Sequence, residues 1–136
     1  MTHAQLIVQA DGGARGNPGP AAIGVVIGNK SYGERIGETT NNVAEYKAAI
    51  FALKKGKHLL GKKQAKETEL EINTDSELMF KQLNGRYKIL EPDLQAFFIE
   101  IWNLKQDFLA VEFKAIRREQ NYEADSLVNA ELDKQN

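Results

Sequence analysis

A chain of 136 residues is long enough for one domain around a single core and too short for two. No apolar run approaches the roughly 20 residues of a bilayer span, and residues 1–5 have neither the basic flank nor the apolar centre of an export signal, so a cytoplasmic protein without membrane association is expected. A net charge of −1 gives no bulk attraction for polyanions, and the absence of cysteine excludes disulfides, thiolate metal sites and a cysteine nucleophile.

In chain order, residues 6–11 alternate, Leu6, Val8 and Ala10 against Ile7, Gln9 and Asp11, which predicts a strand. Residues 12–20, rich in Gly and Pro, predict a loop. Residues 21–27 are apolar and β-branched, a turn follows at Gly28-Asn29-Lys30, and residues 31–37 predict a partner strand, completing an antiparallel meander. Asn41 or Asn42 caps a helix that runs to about Leu60, with Tyr46, Ala49, Ile50 and Leu53 on its buried face. Glu45 projects about 40° from Ala49, beside a stripe of small residues, Ala49, Ala52 and Gly56, that lets the helix approach a sheet closely.

Residues 54–66 hold six Lys, one His and no acid, which fits either a solvated helix end favoured by the helix dipole or a patch that steers phosphates. A strand is expected over residues 68–75 and helices over 76–83 and 92–107, with Pro92 at a first helical position. Trp102 is assigned to the core with Phe97, Phe98, Ile101 and Leu104. Residues 108–116 form a further strand, and residues 121–132 a closing helix with Ala124, Val128 and Leu132 as its apolar stripe. Strand-helix-strand units after a meander imply parallel pairing by right-handed crossover. The expected product is an α/β domain spanning residues 1–136, a mixed five-stranded sheet with helices on both faces.

Four carboxylates sit at element ends, where an α/β sheet gathers its site residues. Asp11 closes the first strand and runs into Gly12-Gly13, Glu45 opens the long helix, Asp75 closes the fourth strand, and Asp125 lies in the first turn of the last helix. Each has a plain alternative: Asp75 caps a helix beside Ser76, Asp125 complements a helix dipole, and Glu45 completes a capping box with Asn42. Asp11 has the poorest such explanation. Clustered together without local basic partners, the four imply hard divalent cations, and two such cations can run phosphodiester hydrolysis. The loop Asp11-Gly12-Gly13-Ala14-Arg15-Gly16-Asn17-Pro18-Gly19-Pro20 is neither a dinucleotide fingerprint nor a P-loop, because a β-branched strand follows it instead of a helix. It is long for a simple hairpin, and its glycines leave Asp11 open to a backbone-sized visitor.

Taken together these segments resemble the motifs of type 1 ribonuclease H. The stretch from Asp11 to Pro20 is similar to the family's first motif, Thr40-Asn41-Asn42-Val43-Ala44-Glu45 to its second and Thr74-Asp75-Ser76 to its third. Arg118-Glu119-Gln120-Asn121-Tyr122-Glu123-Ala124-Asp125 is a variant of its fourth, and the four come in family order over nearly the whole chain. The resemblance implies the ribonuclease H fold and metal-dependent endonucleolytic cleavage of the RNA strand of an RNA/DNA hybrid, leaving 5′-phosphate and 3′-hydroxyl ends. It implies Asp11, Glu45, Asp75 and Asp125 as catalytic ligands of two Mg²⁺ ions, with Mn²⁺ as a substitute. Gly12 backbone, Asn17, Asn41 and Asn42 match groove-binding positions, where the 2′-OH marks the RNA strand. Thr40 matches a residue that grips a DNA-strand phosphate. Turn and cap chemistry is the alternative for these polar residues.

Two departures stand out. Relatives that carry a His in the loop before the last Asp contrast with this chain, whose His3 and His58 lie elsewhere; Arg117 and Arg118 stand in that loop. Arg118 can bind a phosphate but cannot serve as a base at neutral pH; as a plain alternative it is an exposed strand-end cation. A basic protrusion with a Trp-containing loop is also missing, and Arg86, Tyr87 and Lys88 are the candidates to replace part of its contact. The alternatives to a hybrid-cutting enzyme, expected to act as a monomer, are a related nuclease acting on double-stranded RNA or DNA and a non-catalytic hybrid-binding module.

Overall fold

The structure is a computed structural model and describes residues 4–134. Strands β1 (Ala4–Ala14), β2 (Gly19–Ile27) and β3 (Lys30–Thr39) precede helix α1 (Asn41–Leu60) and a short α2 (Lys62–Ala65). Then come β4 (Thr68–Thr74), α3 (Glu77–Leu83), α4 (Pro92–Lys105), β5 (Ala110–Ala115), a 3-10 turn (Arg118–Asn121) and α5 (Tyr122–Asp133). The sheet order is β3-β2-β1-β4-β5, with the first three strands antiparallel and β4 and β5 parallel to β1. This is the expected mixed sheet. None of the described helices is long and apolar enough to cross a membrane.

One boundary changes the site. The expected loop of residues 12–20 is mostly strand, because Gly12, Gly13 and Ala14 pair with Ile23, Ala22 and Ala21 and leave only residues 15–18 as connection. Glycine has weak strand propensity, but a neighbouring strand in register supplies the ladder that local composition hides.

Successive β1 residues face opposite sides of the sheet. Val8 and Ala10 point toward α1, and a Cβ on Gly12 would meet α1 backbone at Ala44, whereas one on Gly13 would meet Val128 of α5. So α1 covers one face and α5 the other. The core fills the α1 side, where Val8, Val25, Leu70 and Ile72 pack with Tyr46 and Leu53 of α1 and Leu94 and Ile101 of α4. On the other face α5 rests on glycine. Gly24 pairs with Asp11 on one side and Gly33 on the other, and a Cβ at Gly24 would stand 2.3 Å from the Ala124 carbonyl oxygen. The Arg35 guanidinium of β3 donates to the α5 carbonyls of Glu131 (3.0 Å) and Leu132 (3.4 Å) and to that of Lys134 (2.8 Å).

Two expectations are corrected. The N-cap of α1 is Thr40, not Asn41 or Asn42: its Oγ1 accepts from the Val43 N–H at 3.2 Å. Trp102 is not core; it is 56% exposed, with Lys105 Nζ 5.7 Å from its ring centroid. The buried stripe of α4 is Leu94, Phe97, Ile101 and Leu104, and a residue one position beyond Ile101 turns about 100° away from it. The 54–66 lysines are largely occupied away from the acids. Lys54 pairs with Glu100 (3.0 Å), Lys57 with Asp107 (3.2 Å), Lys66 donates to the Gln106 carbonyl (2.9 Å), and Lys55 covers the Tyr32 ring at 5.0 Å.

Candidate active site

The sheet parts where the acids meet. Parallel pairing of β1 with β4 ends at Gln9 and Asn73, while β1 continues to Ala14 along β2. Past that point the β4-side edge of β1 is open, and side chains take its backbone groups. Asn121 Nδ2 donates to the Ala10 carbonyl (2.9 Å), the Gly12 N–H to Glu45 Oε1 (2.7 Å), and the Ala14 N–H to Asn41 Oδ1 (2.8 Å). Glu45 is therefore no capping-box partner of Asn42. It reaches β1 because Gly12 has no side chain to hold α1 off.

Asp11 and Asp75 stand on either side of the parting, and with Glu45 each offers a carboxylate oxygen, the three lying within 4.8 Å of one another. Asp125, from the first turn of α5, lies close enough to Asp11 to raise its proton affinity and accepts from Asn129 Nδ2 at 3.4 Å. All four line one open cleft with Gly12, Asn41 and Arg118. Ser76, not Asp75, caps α3, its Oγ accepting from the Met79 N–H at 3.2 Å, so the capping alternative for Asp75 is not realised.

The cluster is electrostatically costly. Asp11 is pushed from 3.8 to about 8, first by burial, then by the charge of Asp75 and by the neighbouring Asp125 carboxyl, while the Arg118 guanidinium pulls the other way. Glu45 is driven well above its ordinary range by burial and by the charges of Asp11 and Asp75, against which the Gly12 N–H acts. A donor set made only of carboxylate oxygens, crowded to one side of a wet cleft, fits hard divalent cations, which relieve the repulsion that otherwise holds protons there.

A pH dependence follows. Because both carboxyls bind protons more tightly folded than unfolded, each favours folding fully at low pH and loses that contribution as pH rises, for Asp11 between about 4 and about 8. A divalent cation held by these carboxylates would take over the protons' role, so the thermal midpoint should rise more on adding Mg²⁺ at pH 8 than at pH 5.5, and this difference should shrink in Asp11→Asn. Equal Mg²⁺ shifts at both pH values in the wild type would contradict it.

The polar residues expected to touch substrate serve the fold with part of their atoms. Asn17 Oδ1 accepts from the Asn41 N–H (3.0 Å), Asn41 Oδ1 holds Ala14, and Thr40 caps α1. Among the described residues the amide nitrogens of Asn17 and Asn41 and the Thr40 hydroxyl proton have no partner and remain for a ligand. Asn42 is half-buried next to them. Arg118 opens the 3-10 turn and lines the cleft. His58 is exposed near the C-terminal end of α1, about 20 Å along the helix from Glu45, and His3 lies outside the described residues.

Asn121 is a residue the motif reading passed over. It is fully buried, and its Nδ2 joins the Ala10 carbonyl to Asp75 Oδ2 (3.4 Å), tying the backbone ahead of Asp11 to the carboxylate across the parting. The available signal was an uncharged amide one turn ahead of Asp125, among neighbours that are charged or exposed.

The comparisons with known proteins agree with this geometry. A family model described as Reverse transcriptase-like matches residues 9–131. The chain is 34% identical over 136 residues to a bifunctional protein of Mycobacterium tuberculosis, covering 95% of this chain and 36% of that protein. It is 36% identical to a ribonuclease HI of Halobacterium salinarum, covering 90% of this chain and 62% of the relative. The chain thus spans about a third of the first relative's length and under two thirds of the second's. Among solved structures, LC11-RNase H1, isolated from compost and crystallised in complex with an RNA/DNA hybrid, is 46% identical with a TM-score of 0.86, over 92% of this chain and 94% of that one.

Proposed function

This chain belongs to the type 1 ribonuclease H family, and from that premise we propose that it is a divalent-metal-dependent endonuclease that cuts the RNA strand of RNA/DNA hybrids, leaving 5′-phosphate and 3′-hydroxyl ends. The observation that carries the reading is the convergence of Asp11, Glu45 and Asp75 within 4.8 Å, with Asp125 lining the same cleft. A module that only bound hybrids would gain nothing from a carboxylate cluster facing phosphate. The four acids hold the cations, and two bound Mg²⁺ ions, or Mn²⁺ in their place, supply Lewis acidity toward water and toward the departing 3′ oxygen.

The chain's own groups orient the duplex. Asn17, Asn41 and Asn42, with the backbone at Gly12, meet the minor groove, where the 2′-OH distinguishes the strand to be cut. Thr40 takes a phosphate of the DNA strand. Labelled RNA/DNA, RNA/RNA and DNA/DNA duplexes, each with Mg²⁺, Mn²⁺ or EDTA, test the reading. The RNA strand of the hybrid should be cut only with metal; hybrid bound but left intact would overturn it.

Arg118 lies beside the acids as the basic side chain whose charge lowers Asp11. It is the phosphate contact in the loop where relatives place a His. Arg118→Ala should reduce kcat/KM by about ten- to a hundredfold, since one charge-assisted contact is worth about 1.5–3 kcal/mol. The salt dependence of binding should flatten by about one phosphate's counterion release. Rescue by Lys and not by His assigns charge as its role, whereas rescue by His alone assigns proton transfer.

A further inference from the structure

A second groove, open and of about 600 Å³, shares Asp75 and Arg118 with the acid cleft and runs between α3, Arg86 and the turn that carries Arg117. Its charged lining is Asp75, Glu77, Lys81, Arg86, Arg117, Arg118 and Glu119. Glu77 is spent on Lys81 at 2.9 Å, and Lys81 also lies 4.9 Å from the Tyr87 ring centroid. Asp75 belongs to the cluster described above, which leaves Glu119 as the remaining carboxylate. Arg86, Arg117 and Arg118 form no ion pair with any carboxylate among the described residues.

These arginines stand on fixed backbone. The Arg86 N–H donates to the Lys81 carbonyl (2.8 Å) and its guanidinium lies 5.5 Å from the Phe80 ring centroid, while the Arg117 N–H donates to Gln120 Oε1 (3.0 Å). Arg86 and Arg117 thus line the groove without an ion-pair partner among the described residues, beside Arg118, whose charge acts on Asp11. Arginine's planar fork matches phosphate, and its weak hydration makes the exchange of water for phosphate cheap. The shared wall of Asp75 and Arg118 makes the groove a direct continuation of the acid cleft.

We propose that this groove is a phosphate subsite for the cut strand, with Arg86 and Arg117 contacting phosphates next to the scissile one on a single side. The inference rests on the hybrid-cutting reading and adds to it a direction: the RNA strand leaves the acids through this groove. Contact by two arginines, not by a protruding basic helix, then holds the substrate on that side.

The test uses a duplex whose cut strand is DNA apart from a short central RNA block, which fixes the cleavage position. Uncharged methylphosphonate linkages replace phosphates of that strand one at a time on each side of the block. Wild-type enzyme should show a raised KM for one or two linkages on one side only. Arg86→Gln/Arg117→Gln should raise KM for the unmodified duplex about tenfold or more, lower the salt slope by nearly two phosphates' worth, and make those same linkages silent. Unchanged KM and salt slope in the double variant, or equal sensitivity of both proteins to the linkages, would overturn the subsite. Failure of the wild-type enzyme to cut any hybrid would instead overturn the parent reading, and the subsite with it.

Discussion

Asp75→Asn should fold and lose at least about 10³-fold in cleavage at saturating Mg²⁺, corresponding to about 4 kcal/mol or more of transition-state stabilisation. The amide keeps the shape, and its oxygen still accepts from Asn121 Nδ2. What disappears is a negative charge from a group of three carboxylates within 4.8 Å. That charge raises the proton affinity of both Asp11 and Glu45, so without metal the variant should be at least as heat-stable as the wild type at pH 8. Single-turnover cleavage and a thermal melt of the same preparation separate the two effects. Near-wild-type cleavage would remove Asp75 from the proposed metal set, and a lowered midpoint would reassign it to structure.

Gly12→Ala should be the most damaging small substitution. The added Cβ would stand 2.2 Å from the Ala44 carbonyl oxygen, 2.3 Å from its carbon and 2.6 Å from the Glu45 nitrogen, all backbone atoms of α1. No rotamer change relieves such contacts, so the helix must move off the strand and stretch the 2.7 Å bond from the Gly12 N–H to Glu45. Overpacking of this kind costs about 3 kcal/mol or more, which for a domain of this size lowers the midpoint by roughly 10 °C. Cleavage should fall as well, because Glu45 rides on the displaced turn. Gly56→Ala is the matched control. Its Cβ would meet the Phe108 ring at 3.7 Å, an ordinary contact within a helix, and should change the midpoint little or raise it. A Gly12→Ala melt within about 2 °C of wild type would show that strand and helix are not so close.

Local pattern made the five strands and the long helices readable, because Val8 and Ala10, and Leu70 and Ile72, alternate as a buried sheet face must, residues 21–27 form a continuous apolar, β-branched run ended by a turn, and Tyr46, Ala49 and Leu53 recur at helical spacing. The four acids were readable for a different reason: Asp75 follows a strand, Glu45 and Asp125 open helices, and Asp11, although inside β1, lies just past the point where β4 stops pairing with it. Contacts between distant segments were harder to see. Gly12 and Gly13 look like loop residues until β2 lies beside them, and no local pattern shows that Gly12 admits Glu45. Thr40 lost the cap assignment to two asparagines because local propensity ranks Asn above Thr, whereas Asn41 is drawn away by Ala14 across the parting. Trp102 was misplaced by its hydrophobicity, although the spacing of Leu94, Phe97, Ile101 and Leu104 already left it outside the stripe. Asn121 acts across 111 residues of sequence, a separation that local pattern does not encode.

The bare backbone under α5 has a consequence for how the acids keep their spacing. Asp11, Gly24 and Gly33 lie in one row across three strands, and α5 sits on the two glycines, while Arg35 fastens its other end. Asp125 is one residue beyond Ala124, the carbonyl that touches Gly24. The helix is thus seated like a part on a machined flat, with the bare strand backbone at Gly24 and Gly33 as the reference surface, met by the Ala124 and Leu127 carbonyls and by the Leu127 Cβ and Glu131 side chain. Its height above the sheet, and with it the separation of Asp125 from Asp11, is set by the thickness of two backbones.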